Sequence, residues 1–352
     1  MIKFDWVNFF ERIVSPIYQV GGLVIVTIFV LLLSVIPFYR FITLEPVPPV
    51  FSVTPKQIKE WGGSATEVTV GMSIINFPKF DPVNNDFVVD AIVWFEFDSA
   101  LVSLETIEKF SFDKGEIINK SISNTKIIDD KFFAQYNVTV KFSSTLAFQY
   151  FPWDDHRIYL TLTNKFVSPS EIIYRSYISG FIISEGAFVA GWKMVGKNVV
   201  AGYSESYLDE NDIKKVVLNP CVLFSLDFSR SGAQHIFLIF LPLFLMFFLG
   251  FFSFAFREPN LIFSLSLGSV TAILSYNFVI QGMSPHTGYF LFSDLTFILF
   301  LGLATTGFLL NILFLHGENR SFWIVVRGVI YILCLVALVF IWYYLLYKWI
   351  VV

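Results

Sequence analysis

Apolar residues run almost unbroken through four long stretches in the last third of the chain, Ile236–Phe256, Leu261–Gln281, Leu295–Leu315 and Phe322–Tyr347, and through a fifth near the start, Val20–Phe38. Each predicts a helix long enough to cross a bilayer core of roughly 30 Å. Three of the four C-terminal stretches are rich in Phe, Leu, Ile and Val on every side and suit lipid. The second, Leu261–Gln281, differs. At about 100° per residue, Asn260, Ser264, Gly268, Thr271 and Ser275 fall within a sector of roughly 80°. A row of hydroxyls gains nothing from lipid, so this face is expected to meet water or other protein. Close contact with a neighbouring helix is the competing reading, because small and hydroxylated residues also favour it. The row turns apolar at Phe278.

Between the first apolar stretch and the cluster the period changes from helix to strand. Val68, Val70, Met72 and Ile74 alternate with polar or small residues, as do Val138, Val140 and Phe142, then Ile158, Leu160 and Leu162. Such alternation predicts half-buried strands. Turn signals separate them at Pro78–Asn85, Asp113–Gly115, Ser168-Pro169 and Asp209–Asp212. Many short strands at this spacing predict an antiparallel β-sandwich, with a short helix after Pro55. The expected organisation is an N-terminus and anchor helix over residues 1–44, a β-sandwich over 45–234 and a four-helix transmembrane bundle over 235–352. No internal repeat is visible.

Composition narrows the class. The chain has 352 residues, 55% hydrophobic and 15% charged, with 43 Phe. A soluble domain uses charged residues for about a quarter of its length. Net charge is −4, and no basic surface points to nucleic acid. Cys221 lies in the polar domain and Cys334 within the last apolar stretch, so a bridge between them is not expected. Val20–Phe38 ends in Ile-Pro-Phe-Tyr-Arg with no small-residue cleavage pattern, which favours an uncleaved anchor over a signal peptide. Lys3, Arg12, Arg257, Arg320 and Arg327 share the side of the N-terminus, against Arg40 and Lys348 opposite. That bias predicts a cytoplasmic N-terminus, five spans and an external β-domain.

Phe151-Pro-Trp-Asp154, followed by a strand, resembles the Phe-Pro-x-Asp turn of pentameric ligand-gated ion channels, the Cys-loop receptor superfamily. Its surroundings are similar in order and spacing. A strand Cys221–Phe228 leads to Arg230 and an apolar span containing Pro242, then the turn Arg257-Glu-Pro-Asn260 and the polar-striped helix. Ser284-Pro-His-Thr-Gly-Tyr289 and Asp294 are similar to the family's Pro-x-Thr-x-Tyr linker with its downstream acidic residue. Val68–Asn76, the loop Pro78–Asn85 and Phe87–Asp98, with Trp94, resemble the first two strands. The resemblance covers about residues 65–350. The anchor Val20–Phe38 departs from the family, the paired cysteines of animal receptors are absent, and Asp98–Asp113 is short for the strands that bring part of an aromatic ligand box.

The resemblance implies a homopentameric channel in a cell membrane, of bacterial inner-membrane type. Its pore would be lined by Asn260, Ser264, Gly268, Thr271, Ser275 and Phe278. Coupling between sandwich and pore would run through Lys79, Asp81, Phe151, Pro152, Asp154, Arg230, Pro285 and Tyr289. Arg257 and Glu258 are selectivity candidates at the inner mouth, where a carboxylate ring favours cations and the arginine opposes it. Trp192, Tyr203 and Tyr207 flank the loop that closes over agonists in the family and are ligand-binding candidates, with a solvated hairpin tip the alternative. An unidentified small molecule or ion would be the agonist. The four histidines show no ligand spacing, no catalytic set is visible, and neither metal nor cofactor is expected. The rival is a non-conducting membrane sensor or assembly partner, since Thr271 stands where relatives place an aliphatic ring.

Overall fold

Two helices open the chain, α1 (Trp6–Ile13) and α2 (Pro16–Val35). In this computed structural model the described residues are 6–35, 41–81, 84, 86–143, 146–207, 216–230, 234–317 and 320–351. The helix α2 starts four residues before the expected Val20. Pro16 sits at its first position, where a missing N–H costs nothing and φ is already helical. Residues 36–40, with Arg40, and residues 1–5, with Lys3, lie outside the described set.

The chain divides into two units: Thr43–Ala147 with Asp155–Ser231, and Met1–Ile42 with Phe148–Asp154 and Gly232–Val352. The first is a β-sheet unit. It opens with the short helix α3 (Pro55–Glu60), whose capping box joins Thr54 and Gln57 reciprocally. Then come β1 (Thr66–Asp81), β2 (Asp86–Phe97), α4 (Leu104–Glu108), β3 (Ser111–Asp113), β4 (Gly115–Lys120), β5 (Asn124–Ile128), β6 (Lys131–Ser143), β7 (Asp155–Thr163), β8 (Ile172–Arg175), β9 (Phe181–Ile183), β10 (Trp192–Tyr207) and β11 (Val216–Arg230). One hydrogen-bonded path runs β10-β11-β7-β3-β4-β6-β2-β1-β8, with β5 on β6 and β9 on β1. The expected alternating positions of β1, β6 and β7 all point into one core. Burying each such side chain contributes about 1.5–3 kcal/mol.

The sheet differs from the expected all-antiparallel arrangement. β8 and β9 run parallel to β1, so the sheet is mixed and nearly closed. Alternation reports which faces are buried, and it carries no information on strand direction. The expected loop at Pro78 is mostly strand, because β1 continues to Asp81. Register shifts between Asn76 and Lys79 accommodate the proline, which donates nothing to the ladder. Between Asp98 and Asp113 the chain forms α4, capped by Ser103.

The second unit is helical. It adds α5 (Gln234–Phe252), a 3-10 turn at Ser253–Ala255, α6 (Pro259–Met283), α7 (Phe292–His316) and α8 (Arg320–Val351). Among the described residues five helices, α2 and α5 to α8, are long and apolar enough to cross a membrane. Helix α6 packs on α5 and α7, and α8 on α1, α2 and α7. Buried Trp342 of α8 stands at the centre, its ring centroid 5.2 Å from Phe240, 5.8 Å from Phe244 and 5.7 Å from Phe292. Its indole N–H reaches Ser34 Oγ of α2 at 3.2 Å.

Candidate functional site

Helix α6 begins at Pro259 with Glu258 as its cap residue, and its buried side is Ile262, Ser266, Ser269, Ile273 and Ile280. Asn260, Ser264, Gly268, Thr271, Ser275 and Phe278 all lie on the opposite, exposed side of the chain. Phe278 is 78% exposed, an open apolar ring at the end of the polar row. Off this polar sector, Ile273 is fully buried, and Phe263 is exposed but packs on Phe308 at 5.8 Å. The Thr271 and Ser275 hydroxyls donate to carbonyls one turn back, Leu267 at 3.0 Å and Thr271 at 2.9 Å. Such back-bonding satisfies a hydroxyl without water.

Pro242 lies inside α5 and leaves the carbonyl of Leu238, four residues back, without its helical donor. The Tyr276 hydroxyl of α6 donates to that carbonyl. A proline on one helix is thereby matched to a phenol on the next. Tyr276→Phe is expected to cost about 1–3 kcal/mol, the penalty of stranding an acceptor away from water. In a Pro242→Ala background, where an amide N–H is restored, the same change should cost much less. Unfolding of both pairs in detergent checks this, and equal costs in the two backgrounds would refute the match.

The segment Phe148–Asp154 joins β6 to β7 yet belongs to the helical unit. Its backbone is keyed to the start of α7. Phe292 N–H donates to Gln149 O at 3.0 Å and Ser293 N–H to Phe151 O at 3.3 Å, while Phe148 N–H donates to the Tyr289 hydroxyl at 3.0 Å. Trp153 stacks on Phe240 at 5.2 Å and meets Phe292 edge-on at 5.0 Å. Phe151, Pro152, Asp154 and Pro285 are buried. Asp294 caps α7 through the Leu291 N–H at 2.9 Å. The turn, the linker residue Tyr289 and α7 therefore form one joint.

The other coupling candidates lie in the sheet unit. Lys79 bridges to Asp86 at 2.9 Å across the β1–β2 hairpin, which raises the lysine's pKa and lowers the aspartate's, chiefly through their hydrogen bond. Asp81 accepts from Asn84, whose side-chain hydrogen bond lowers the carboxyl's pKa. The Arg230 guanidinium lies 4.5 Å above the Trp192 ring.

The three aromatic candidates do not share a pocket. Trp192 and Tyr203 stand eleven positions apart on β10, about 35 Å along a strand. Trp192 is buried, and its ring lies 5.0 Å from that of His156. Tyr203 is covered by its own chain, with Phe51 at 5.5 Å, Trp61 at 5.7 Å and Gln57 Nε2 donating to its hydroxyl at 2.9 Å. Gly202 permits this cover, since a Cβ there would stand 2.1 Å from the Phe51 carbonyl oxygen. Tyr207 is exposed, its hydroxyl donating to Glu205 at 2.9 Å. The acidic loop Asp209–Asp212 lies outside the described residues.

Sequence reasoning missed two side-chain constellations. Glu45 and His156 are both buried, with Oε1 2.7 Å from Nδ1. The same carboxylate accepts the Ala147 N–H at 3.2 Å and the Arg157 N–H at 3.3 Å. Arg157 also holds Asp227 with two bonds, at 2.5 and 2.9 Å, across β7 and β11. That pairing raises the arginine's pKa, chiefly through the hydrogen bonds to Asp227. A cross-strand pair needs a register to be foreseen, and no local pattern signals Glu45. At the selectivity positions, Arg257 pairs with Glu11 of α1, and Glu258 is exposed. No protein-family model matches the chain, and no curated protein matches it.

Proposed function

We propose that the chain is a subunit of a homopentameric gated ion channel in a cell membrane, with its N-terminus in the cytoplasm. The sheet unit is the external, sandwich-like sensor, α5 to α8 form the pore bundle, and α2 packs at the periphery. The observation that carries this reading is the exposed face of α6. In a chain whose helices bury their contacts with one another, this row of small and hydroxylated residues is left for a shared axis. Five copies would line a water-filled path from Asn260 to Ser275, and five Phe278 rings would close it by dewetting. The joint between the Phe148–Asp154 turn, Tyr289 and α7 supports the transmission of a stimulus to α6 through the linker Pro285–Tyr289. The Glu11–Arg257 pair offsets the arginine's charge, leaving Glu258 as the uncompensated charge of the mouth and favouring permeant cations.

A non-conducting membrane sensor is the second reading. It draws on the back-bonded hydroxyls of Thr271 and Ser275, which do not require water. Recording from the purified protein in a planar bilayer separates the two. A channel gives discrete current steps whose reversal potential in a salt gradient follows the cation. Silence from folded, pentameric protein across the tested stimuli would reject the channel.

A further inference from the structure

Within the helical unit a cavity of about 640 Å³ opens between α1, the Ser253–Ala255 turn, the end of α7 and the start of α8. Its walls carry three guanidiniums, Arg12, Arg257 and Arg327, against one carboxylate, Glu11, which is already paired with Arg257. Arg327 is only 3% exposed. One of its terminal nitrogens donates to Ser253 O and to Asn311 Oδ1, each at 3.2 Å, and its guanidinium lies between Phe314 at 4.1 Å and Phe254 at 4.9 Å. Its Nε has no hydrogen-bond partner, and among the described residues no carboxylate pairs with it. Burying a cation without an anion is costly, so this site is built for a negative charge from elsewhere.

A second cavity says what carries that charge. A groove of about 290 Å³ runs between Val20, Leu23 and Val24 of α2 and Leu245, Phe248, Leu249 and Phe252 of α5. It is apolar throughout. It begins one helical turn beyond Pro16 and two residues before Phe254, both of which line the arginine cavity. The basic chamber and the apolar groove are thus neighbours along the chain, at the start of α2 and just past the end of α5. Helix α1 is held over the chamber by Phe10, whose ring stands where a Cβ on Gly328 would be, 2.5 Å away.

We propose that the chamber holds the phosphate of an anionic glycerophospholipid, with an acyl chain in the α2–α5 groove. Arg327 presents its buried guanidinium charge, Arg12 contributes from α1, and the lipid supplies the anion that the protein lacks. The site is independent of whether the pore conducts.

The test uses delipidated full-length protein in detergent and three probes: dioctanoyl phosphatidylglycerol, dioctanoyl phosphatidylcholine and inorganic phosphate. Calorimetry is expected to show phosphatidylglycerol binding about tenfold or more tighter than phosphatidylcholine, as charge-assisted bonds to a buried guanidinium require. Arg12→Gln, on the exposed rim, should weaken phosphatidylglycerol several-fold, and Arg327→Gln should abolish the preference. Val24→Trp, which fills the groove, should weaken the lipid and leave inorganic phosphate unchanged. Equal binding of the two lipids, or a preference indifferent to Arg12→Gln and Arg327→Gln, would overturn the site. Inorganic phosphate binding as tightly as the anionic lipid, with Val24→Trp silent, would overturn the lipid and leave a free-phosphate site.

Discussion

Glu45→Ala is expected to destabilise the sheet unit by about 3–5 kcal/mol, the cost of breaking a buried charged or hydrogen-bonded pair from one side. One carboxylate serves His156 Nδ1 and the amides of Ala147 and Arg157, and it is buried together with the imidazole. Alanine removes the carboxylate that these donors share. Glu45→Gln retains one acceptor and should lose less. Of the chain's eight tryptophans Trp192 adjoins the cluster, its ring 5.0 Å from that of His156, so part of the total emission reports on the change. Urea unfolding followed by that emission checks the result, and a shift below about 0.5 kcal/mol, the usual size for a surface substitution, would mean the cluster is not what holds these segments.

Trp342→Ala should have a similar effect in the helical unit, about 3–5 kcal/mol, from lost burial plus the cavity left behind. The residue is fully buried, and its ring faces Phe240 and Phe244 of α5, Phe292 of α7 and Trp153 of the turn. Trp342→Phe fills part of the space but drops the hydrogen bond to Ser34, so it should fall between. Because Trp153 shares the cluster, the alanine variant should also loosen the turn against α7. Thermal unfolding in detergent measures the first effect, and hydrogen exchange at Phe292 and Ser293, whose amides bond to the turn, measures the second. A stable variant with unchanged exchange would show that α8 is a passive neighbour.

The five apolar helices were legible because length and hydropathy act without partners. The exposed side of α6 was legible for the same reason: a polar sector on a 3.6-residue period marks a face before anything is known of its surroundings. Periodicity also identified the core positions of β1, β6 and β7. It did not reveal that β8 and β9 run parallel to β1, because strand direction depends on distant pairing. Nothing local in the sequence ties Tyr276 to Leu238, thirty-eight positions earlier on another helix. Glu45 and His156 meet across 111 positions, and each alone is an ordinary residue. The aromatic trio does not converge within the chain because Trp192 and Tyr203 are near in sequence but far apart along an extended strand.

The most direct test of the pore is thiol modification along α6. Single cysteines at Ser264, Gly268, Thr271 and Ser275 are exposed to a hydrophilic thiol reagent while current through the bilayer is recorded. If this face lines water, all four variants lose current on modification, whereas a cysteine at buried Ile273 reacts slowly and leaves current unchanged. Uniform non-reactivity along the row, in protein shown to be folded and pentameric, would mean the hydroxyls face another helix and would contradict the channel.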